Sequence, residues 1–345
     1  MKKSIFILFI TLCITVAQYP LWAQSNSDKS GTTAAQFLKI GVGGRAMALG
    51  GSFVAQADDI YSLYWNASGI TKVKGITFAA VYSNWLADIS HQFFGLVIPI
   101  SESSAIGAHA IVLSMDPVEV TTIDQPHGTG EFYDASDIAM GVSFATRLTN
   151  YFSLGITGKF IYQQIYNESA STFAVDISSS LDIPFYGLKL GMNFSNFGGK
   201  LQLDGRDLIR EYDLNPGNTL NDGVETRLKT EPWGLPVNFA IGLSIQLIGD
   251  GESFLSSEKN HLTLSVTGNH PSDASEYASF GLEYILMDIV SLRGGYRMNR
   301  DLEKFFYGVG LKAPISGATF TFDYGLASYD ALDYIHVFSI GLSFE

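Results

Sequence analysis

The feature that most constrains the fold of this sequence is an alternation of apolar residues with small or polar ones, repeated in segments of about ten residues. In the segment 152–162, Phe152, Leu154 and Ile156 alternate with serine, glycine and threonine. A strand with this period presents one apolar and one polar face. The pattern is typical of strands that cross a membrane in a barrel. A strand of a large soluble β-sandwich shows the same alternation, so the period alone leaves both folds open.

Fourteen such segments follow one another along the chain, and the lengths of their connections favour the barrel. The predicted segments are 75–84, 91–100, 104–114, 135–147, 150–162, 171–182, 185–196, 236–247, 260–269, 276–286, 289–298, 304–313, 317–326 and 335–344. Short and long connections alternate, with 248–259 as the exception. Outer-membrane barrels have short periplasmic turns and longer outer loops. The sequence therefore predicts a 14-stranded antiparallel transmembrane β-barrel with its short turns, and both chain ends, in the periplasm.

Composition supports a membrane barrel over a soluble sandwich. Charged residues make up 16% of the chain, below the roughly 25% of soluble domains. Glycine and aromatic residues are plentiful, with 35 glycines and 13% aromatics. The formal net charge of −13 argues against nucleic acid as a partner, because nucleic-acid binding depends on basic residues.

Three domains are predicted. Residues 1–24 have the features of a secretory signal peptide, with Lys2 and Lys3 before an apolar run that is too short to span a bilayer. The chain has one cysteine, Cys13, inside this run, so we expect no disulfide in the mature protein. Residues 25–72 are predicted to form an N-terminal plug or hatch segment, and residues 73–345 the transmembrane barrel.

The plug prediction depends on volume and on charge. Fourteen strands enclose a lumen wider than the side chains of the wall can fill, and the glycine-rich stretch 34–70 has short apolar pieces that can pack there. Arg45, Asp58 and Asp59 lie within this stretch. Further charges fall on the polar faces of predicted strands, at Glu283, Arg293 and Arg297. We expect ion pairs between the two sets to hold the plug, with a gating role as the alternative.

Several stretches carry a family resemblance. They are 37–41 (FLKIG), 44–55 (GRAMALGGSFVA), 58–59 (DD), 64–69 (YWNASG), 83–88 (SNWLAD), 281–284 (GLEY) and 292–296 (LRGGY). Together they resemble the PorV/PorQ family, part of the wider superfamily of long-chain fatty-acid transporters such as FadL. The resemblance implies a 14-stranded barrel with an N-terminal plug in the bacterial outer membrane. It also implies that Trp65 and Asn66 belong to a hatch, in which Ala67 and Ser68 replace the proline and alanine of an Asn-Pro-Ala motif.

The same resemblance implies a function. It predicts a part in type IX protein secretion, in which the barrel binds exported cargo or its signal domain and works with other secretion components. The alternative is a FadL-like outer-membrane transporter of fatty acids or other hydrophobic compounds. A continuous apolar cavity of roughly a few hundred Å³ would favour transport, whereas a tightly packed polar lumen would favour docking.

Four apolar residues of the outer loops are candidate partner contacts. Trp85 and Leu86 are predicted at the tip of the first hairpin, where they would anchor at the lipid interface or contact a partner. Trp233 and Leu235 end the longest loop, 197–235, and long loops are usually functional or disordered.

Motifs for catalysis are absent from the sequence. It has no G-x-S-x-G, H-E-x-x-H or P-loop pattern, and its six histidines have no zinc spacing. An acidic stretch, 116–134, lacks the ligand spacing of a calcium loop. We therefore expect no enzyme activity, no cofactor and no metal. The predicted membrane barrel implies outer-membrane lipid as a partner.

Overall fold

The barrel prediction is confirmed by the computed structural model, which describes residue 29 and residues 31–213, 223–250 and 253–344. The predicted signal peptide lies outside the described residues. Each of the fourteen predicted segments overlaps one strand of a barrel. The strands are β1 (Ile76–Asn84), β2 (Ser90–Pro99), β3 (Ser104–Ser114), β4 (Ala135–Arg147), β5 (Phe152–Ile165), β6 (Glu168–Ile183), β7 (Leu188–Gly198), β8 (Asn238–Gly249), β9 (Asn260–Pro271), β10 (Tyr277–Leu286), β11 (Val290–Met298), β12 (Phe305–Ile315), β13 (Ala318–Ser328) and β14 (Tyr334–Phe344).

Every strand pairs antiparallel with its two neighbours, and the sheet closes on itself. β1 pairs with β14, and β7 joins β6 to β8. The alternation read from the sequence sets the two faces. Along β5, Leu154 and Ile156 are exposed on the outside, whereas Ser153 and Thr157 are buried on the inside.

One connection is shorter than predicted, and the predicted exception to the sorting into short and long is present. The eight residues between the predicted segments 150–162 and 171–182 are mostly strand, so that Tyr166 and Asn167 alone link β5 to β6. Polar residues such as Gln163 interrupt the alternation of apolar residues there. The backbone pairing of the two strands nevertheless continues to Ile165 and Glu168. The connection 250–259 is long although it lies at the short-turn end. We call the end with most of the long loops the outer end, and the other the inner end.

Helical pieces occur before β1 and in some loops. Before β1 they are the 3-10 helices Gln36–Lys39 and Ala67–Lys72 and the α-helices Gly44–Ala48 and Ser62–Trp65; in the loops they are the 3-10 helices Leu86–Asp88, Arg206–Leu208 and Asp330–Leu332. Within the described ranges, no helix is long and apolar enough to cross a membrane.

The stretch before β1, residues 31–75, runs through the barrel, and we call it the luminal segment. Its side chains form the centre of the hydrophobic core, with Val42, Leu49, Phe53 and Ile70 fully buried. Glycines in the wall make room for it. At Gly191, a Cβ would overlap the backbone of Val54 and Ala55. The fold therefore contains an N-terminal segment in the lumen, as predicted, whereas the domain boundaries at 24/25 and 72/73 stay predictions.

The luminal segment runs from the outer end to the inner end. Thr33 bridges to Gly234 in the longest outer loop, and Ala34 N donates to Gly234 O at 2.8 Å. At the opposite end, Lys72 Nζ lies 2.8 Å from Asp182 Oδ1, close to the turn after β6. The prediction that both ends of the chain lie at the inner end is therefore wrong for residues 31–33. Because β1 begins at the inner end, a segment that crosses the whole lumen must start at the outer one.

Candidate functional site

A charged network joins the luminal segment to the barrel wall. Arg45 lies on the short helix Gly44–Ala48, which approaches the wall closely because Gly44 has no side chain: a Cβ there would overlap the carbonyl group of Asp323. The Arg45 guanidinium lies 2.6 Å from Asp58 Oδ1 and 2.9 Å from Asp59 Oδ2. On its other side it contacts Glu283 of β10. The structure thus brings together three residues that the sequence assigned to the plug.

The network continues along the inner face of the barrel wall. Glu283 Oε1 also accepts from Arg293 Nε at 2.7 Å, and Arg293 Nη1 donates to Asp323 Oδ1 at 2.6 Å. Gln56 donates to Glu283 as well. Sequence reasoning missed Gln56 and Asp323. The sequence does contain a signal for Asp323: it alternates with apolar residues along β13, which places it on the inward face. Buried charges are tolerated when paired and hydrogen-bonded, so these contacts explain how the charges of this network are accommodated inside the barrel.

The predicted hatch residues Trp65 and Asn66 cross-link the luminal segment. Trp65 Nε1 donates to Val42 O at 2.8 Å. Asn66 Nδ2 donates to Val54 O at 2.8 Å and to Ser179 O of β6 at 3.0 Å. Its Oδ1 accepts from the backbone N and the hydroxyl of Ser68, capping the helix Ala67–Lys72. Ser68, a departure from the superfamily motif, therefore adds a hydrogen bond to this turn.

A cavity of about 430 Å³ lies between the luminal segment and the outer half of the barrel. Residues 36–41 of the luminal segment form one side of it. Aromatic side chains contribute much of the lining, and they are Phe37, Tyr64, Trp65, Trp85, Tyr277 and Tyr329. Six charged residues also line it: Lys39, Lys159, Asp176, Arg297, Arg300 and Glu303. The cavity has the size of a typical ligand pocket, but its wall is neither purely apolar nor purely polar.

The start of the luminal segment is fastened over this cavity by Asp273, a buried residue of the loop between β9 and β10. Its Oδ2 accepts from Thr33 Oγ1 at 2.7 Å, Gln36 Nε2 at 2.9 Å and Lys39 Nζ at 3.0 Å. Burial favours protonation of the Asp273 carboxyl, but the hydrogen bonds from these three side chains outweigh it and hold the pKa of Asp273 below its usual value.

The four apolar residues predicted as partner contacts have different surroundings. Trp85 packs edge to face on Tyr329 with ring centroids 5.6 Å apart, and Leu86 is partly buried against the core. Leu235 is 4% exposed, so its side chain has no free surface to offer a partner in this conformation. Trp233 is 46% exposed on the outer loops.

The acidic stretch 116–134 is one of the places in the sequence that were considered for a metal site. Its two-residue strands Val118–Glu119 and Phe132–Tyr133 pair with each other and are exposed. Among the described residues, no group of three or more histidine, cysteine or acidic side chains is placed to hold a metal ion.

Closed antiparallel strands, outward apolar faces and a buried charged segment in the lumen define a β-barrel protein of the bacterial outer membrane. The chain matches the family described as "Type IX secretion system protein PorV" over residues 23–218. The protein belongs to this family, and the resemblance drawn from the sequence is confirmed. No curated protein matches the chain.

Solved structures of a hydrocarbon channel and of two toluene transporters are similar to this barrel. The "CymD monoaromatic hydrocarbon channel" shares 11% identity and a TM-score of 0.57, covering 88% of this chain and 97% of that one. The Ralstonia pickettii toluene transporter TbuX shares 11% identity and a TM-score of 0.55, with 88% and 99% covered. The Pseudomonas putida toluene transporter TodX shares 10% identity and a TM-score of 0.51, with 82% and 92% covered. At these identities the likeness shows the fold alone.

Proposed function

We propose that this protein acts in type IX secretion by binding exported proteins, through their signal domains, at its outer face. The family match carries the proposal. It includes the luminal segment, seven strands and the start of the longest outer loop. In the barrel, outward apolar side chains contact outer-membrane lipid, and the outer loops face the surface where cargo and other secretion components are found.

The folding of the longest outer loop supports a binding role. Residues Lys200–Leu201 pair with Trp233–Gly234, and Ile209–Tyr212 pair with Val224–Arg227. A further pair, Asp204–Gly205, continues the barrel sheet at β6. Tyr212, at 58% exposed, and Trp233, at 46%, therefore project from ordered backbone. Exposed tyrosine and tryptophan side chains are favourable anchors for a protein interface.

The experiment is a deletion of the gene in the source bacterium, followed by proteomics of periplasm, cell surface and medium. We expect proteins with type IX signal domains to accumulate in the periplasm. Complementation with Tyr212→Ala/Trp233→Ala should restore the barrel but not secretion. Tyr151→Ala, 51% exposed at the inner end, is the matched control and should restore both. Normal secretion by the deletion strain would refute the proposal.

A second function, transport of hydrophobic compounds, is favoured by the cavity. Its volume of about 430 Å³ and its aromatic lining suit a small apolar ligand. The same deletion strain tests it: slower uptake of labelled toluene or fatty acid, with secretion unchanged, would select transport over export.

A further inference from the structure

The cavity has more basic than acidic side chains in its wall, in a chain that is acidic overall. Four basic residues line it, Lys39, Lys159, Arg297 and Arg300, against two acidic ones, Asp176 and Glu303. The whole chain has 21 basic and 34 acidic residues. The local balance is therefore the reverse of the global one, so the charge of the wall is a property of this site.

Three of the four basic residues are neutralised by a carboxylate. Lys39 Nζ lies 3.0 Å from Asp273, Lys159 Nζ 2.8 Å from Asp176, and Arg297 Nη1 2.8 Å from Glu303. Each of these pairs leaves little net charge for a ligand.

Arg300 differs from the other three. Its Nε is 3.7 Å from Glu303 Oε1, an oxygen that already accepts from Arg297 at 2.8 Å. The Nε atom is buried and, within the described part of the chain, has no hydrogen-bond acceptor. The guanidinium stacks over the Tyr277 ring, 4.2 Å from its centroid. A buried charged donor without an acceptor is costly, and a planar guanidinium on an aromatic ring is oriented to bind two oxygens of an anion.

The rest of the lining suits an apolar ring system. Trp65 and Tyr64 pack edge to face with centroids 5.0 Å apart, and Phe37 and Trp85 contribute further aromatic surface. Two more polar atoms of lining residues lack partners among the described residues, His109 Nδ1 and Asn238 Oδ1. A ligand here meets aromatic surface together with the Arg300 guanidinium, which is 25% exposed and has one buried N–H group without an acceptor among the described residues.

We propose that the cavity binds a small aromatic anion, a carboxylate or sulfonate, whose acidic group pairs with Arg300 and whose ring lies against the aromatic wall. The neighbours in fold are named for neutral hydrocarbons, and this site differs by selecting charge. The inference does not depend on the export role, because binding is measured on the purified barrel without cargo.

The test compares two ligands that share a ring. 1-Naphthalenesulfonate is charged and 1-naphthalenemethanol is not. Each is titrated by calorimetry into the full-length mature protein in non-ionic detergent, with empty micelles subtracted. We expect the sulfonate to bind about tenfold more tightly or better, the effect of one charged hydrogen bond.

Two variants with the same charge change identify the site. Arg300→Gln should weaken sulfonate binding about tenfold and alter binding of the alcohol less than about twofold. Lys304→Gln is the control, because Lys304 is an exposed residue of the same loop that does not line the cavity. It should leave both affinities unchanged. Heat-modifiable gel mobility checks that each variant is folded.

Two results would overturn the inference. Equal affinity of the wild type for the two ligands would show that the cavity does not select charge. Unchanged sulfonate affinity in folded Arg300→Gln would show that Arg300 serves only to pack on Tyr277.

Discussion

Arg45 in the lumen and Glu283 in the barrel wall form a two-pronged ion pair, with Nε to Oε1 and Nη2 to Oε2 both 2.9 Å. The Glu283 side chain is 2% exposed. This pair fastens the luminal segment to β10, far from the covalent attachment of that segment at β1. A plug held in this way can move only after a buried charge loses its partner.

Replacing Glu283 by glutamine should therefore destabilise the barrel. Arg45 and Arg293 would share a neutral side chain, and breaking a buried ion pair costs about 3–5 kcal/mol. Thermal unfolding of the purified protein in detergent measures the change. Asp288→Asn is the control, because Asp288 is 56% exposed in its pair with His261 and should lose less than about 1 kcal/mol. Equal effects of the two substitutions would contradict the role of the network.

A side chain added at Gly155 should displace the hatch. Gly155 faces the lumen, and a Cβ there would overlap the backbone of Ala67 and Ser68. We expect Gly155→Val to raise ion conductance in planar bilayers, since the helix that carries these residues must move away from the wall. Gly158→Val is the matched control on the same strand, because its Cβ would meet nothing within 4 Å. Wild-type conductance in both variants would show that the contact of Gly155 with Ala67 and Ser68 does not block ion flow through the barrel.

The cost of an outward-facing arginine to membrane insertion should depend on the depth of that residue in the bilayer. Leu243, in the middle of β8, is 39% exposed on the outside of the barrel. Arginine there should hinder insertion by roughly 2–4 kcal/mol, as expected near the bilayer midplane. Met298→Arg, at the outer end of β11, should cost only about 0–1 kcal/mol. Urea titration of folding into lipid vesicles compares the two, and equal costs would show that the face or the depth is misassigned.

Acid should release the start of the luminal segment from Asp273. The pKa of this carboxyl is lower in the folded protein than in the unfolded chain, so at acidic pH the unfolded chain binds more protons. The stabilisation is therefore complete at neutral pH and is lost as the pH falls below about 5. A fluorophore on Thr32→Cys, the one thiol after residue 13, should gain mobility between pH 7 and pH 3. In Asp273→Asn the label should already be mobile at pH 7 and show little change with pH; the wild-type response in that variant would refute the assignment.

Much of the candidate site could be predicted from residue type and spacing. Arg45, Asp58 and Asp59 are charges in a stretch destined for the lumen, and Glu283 and Arg293 alternate with apolar residues, so they had to face inward. Gln56 was missed because an uncharged polar residue in a loop gives no signal of its partner. The sequence pattern does not show that Leu235 is buried, because the exposure of a residue in a long loop depends on how that loop folds.

The sequence by itself determined the number of barrel strands and the alternation of an apolar with a polar face along each, because a period of two is a local property that a strand of about ten residues displays. The tertiary structure alone decided the direction in which the luminal segment crosses the barrel, the joining of Arg45 to Glu283, and the cavity between the luminal segment and the wall. These depend on contacts between residues more than a hundred positions apart, and no local pattern records which distant side chains a closed wall brings together.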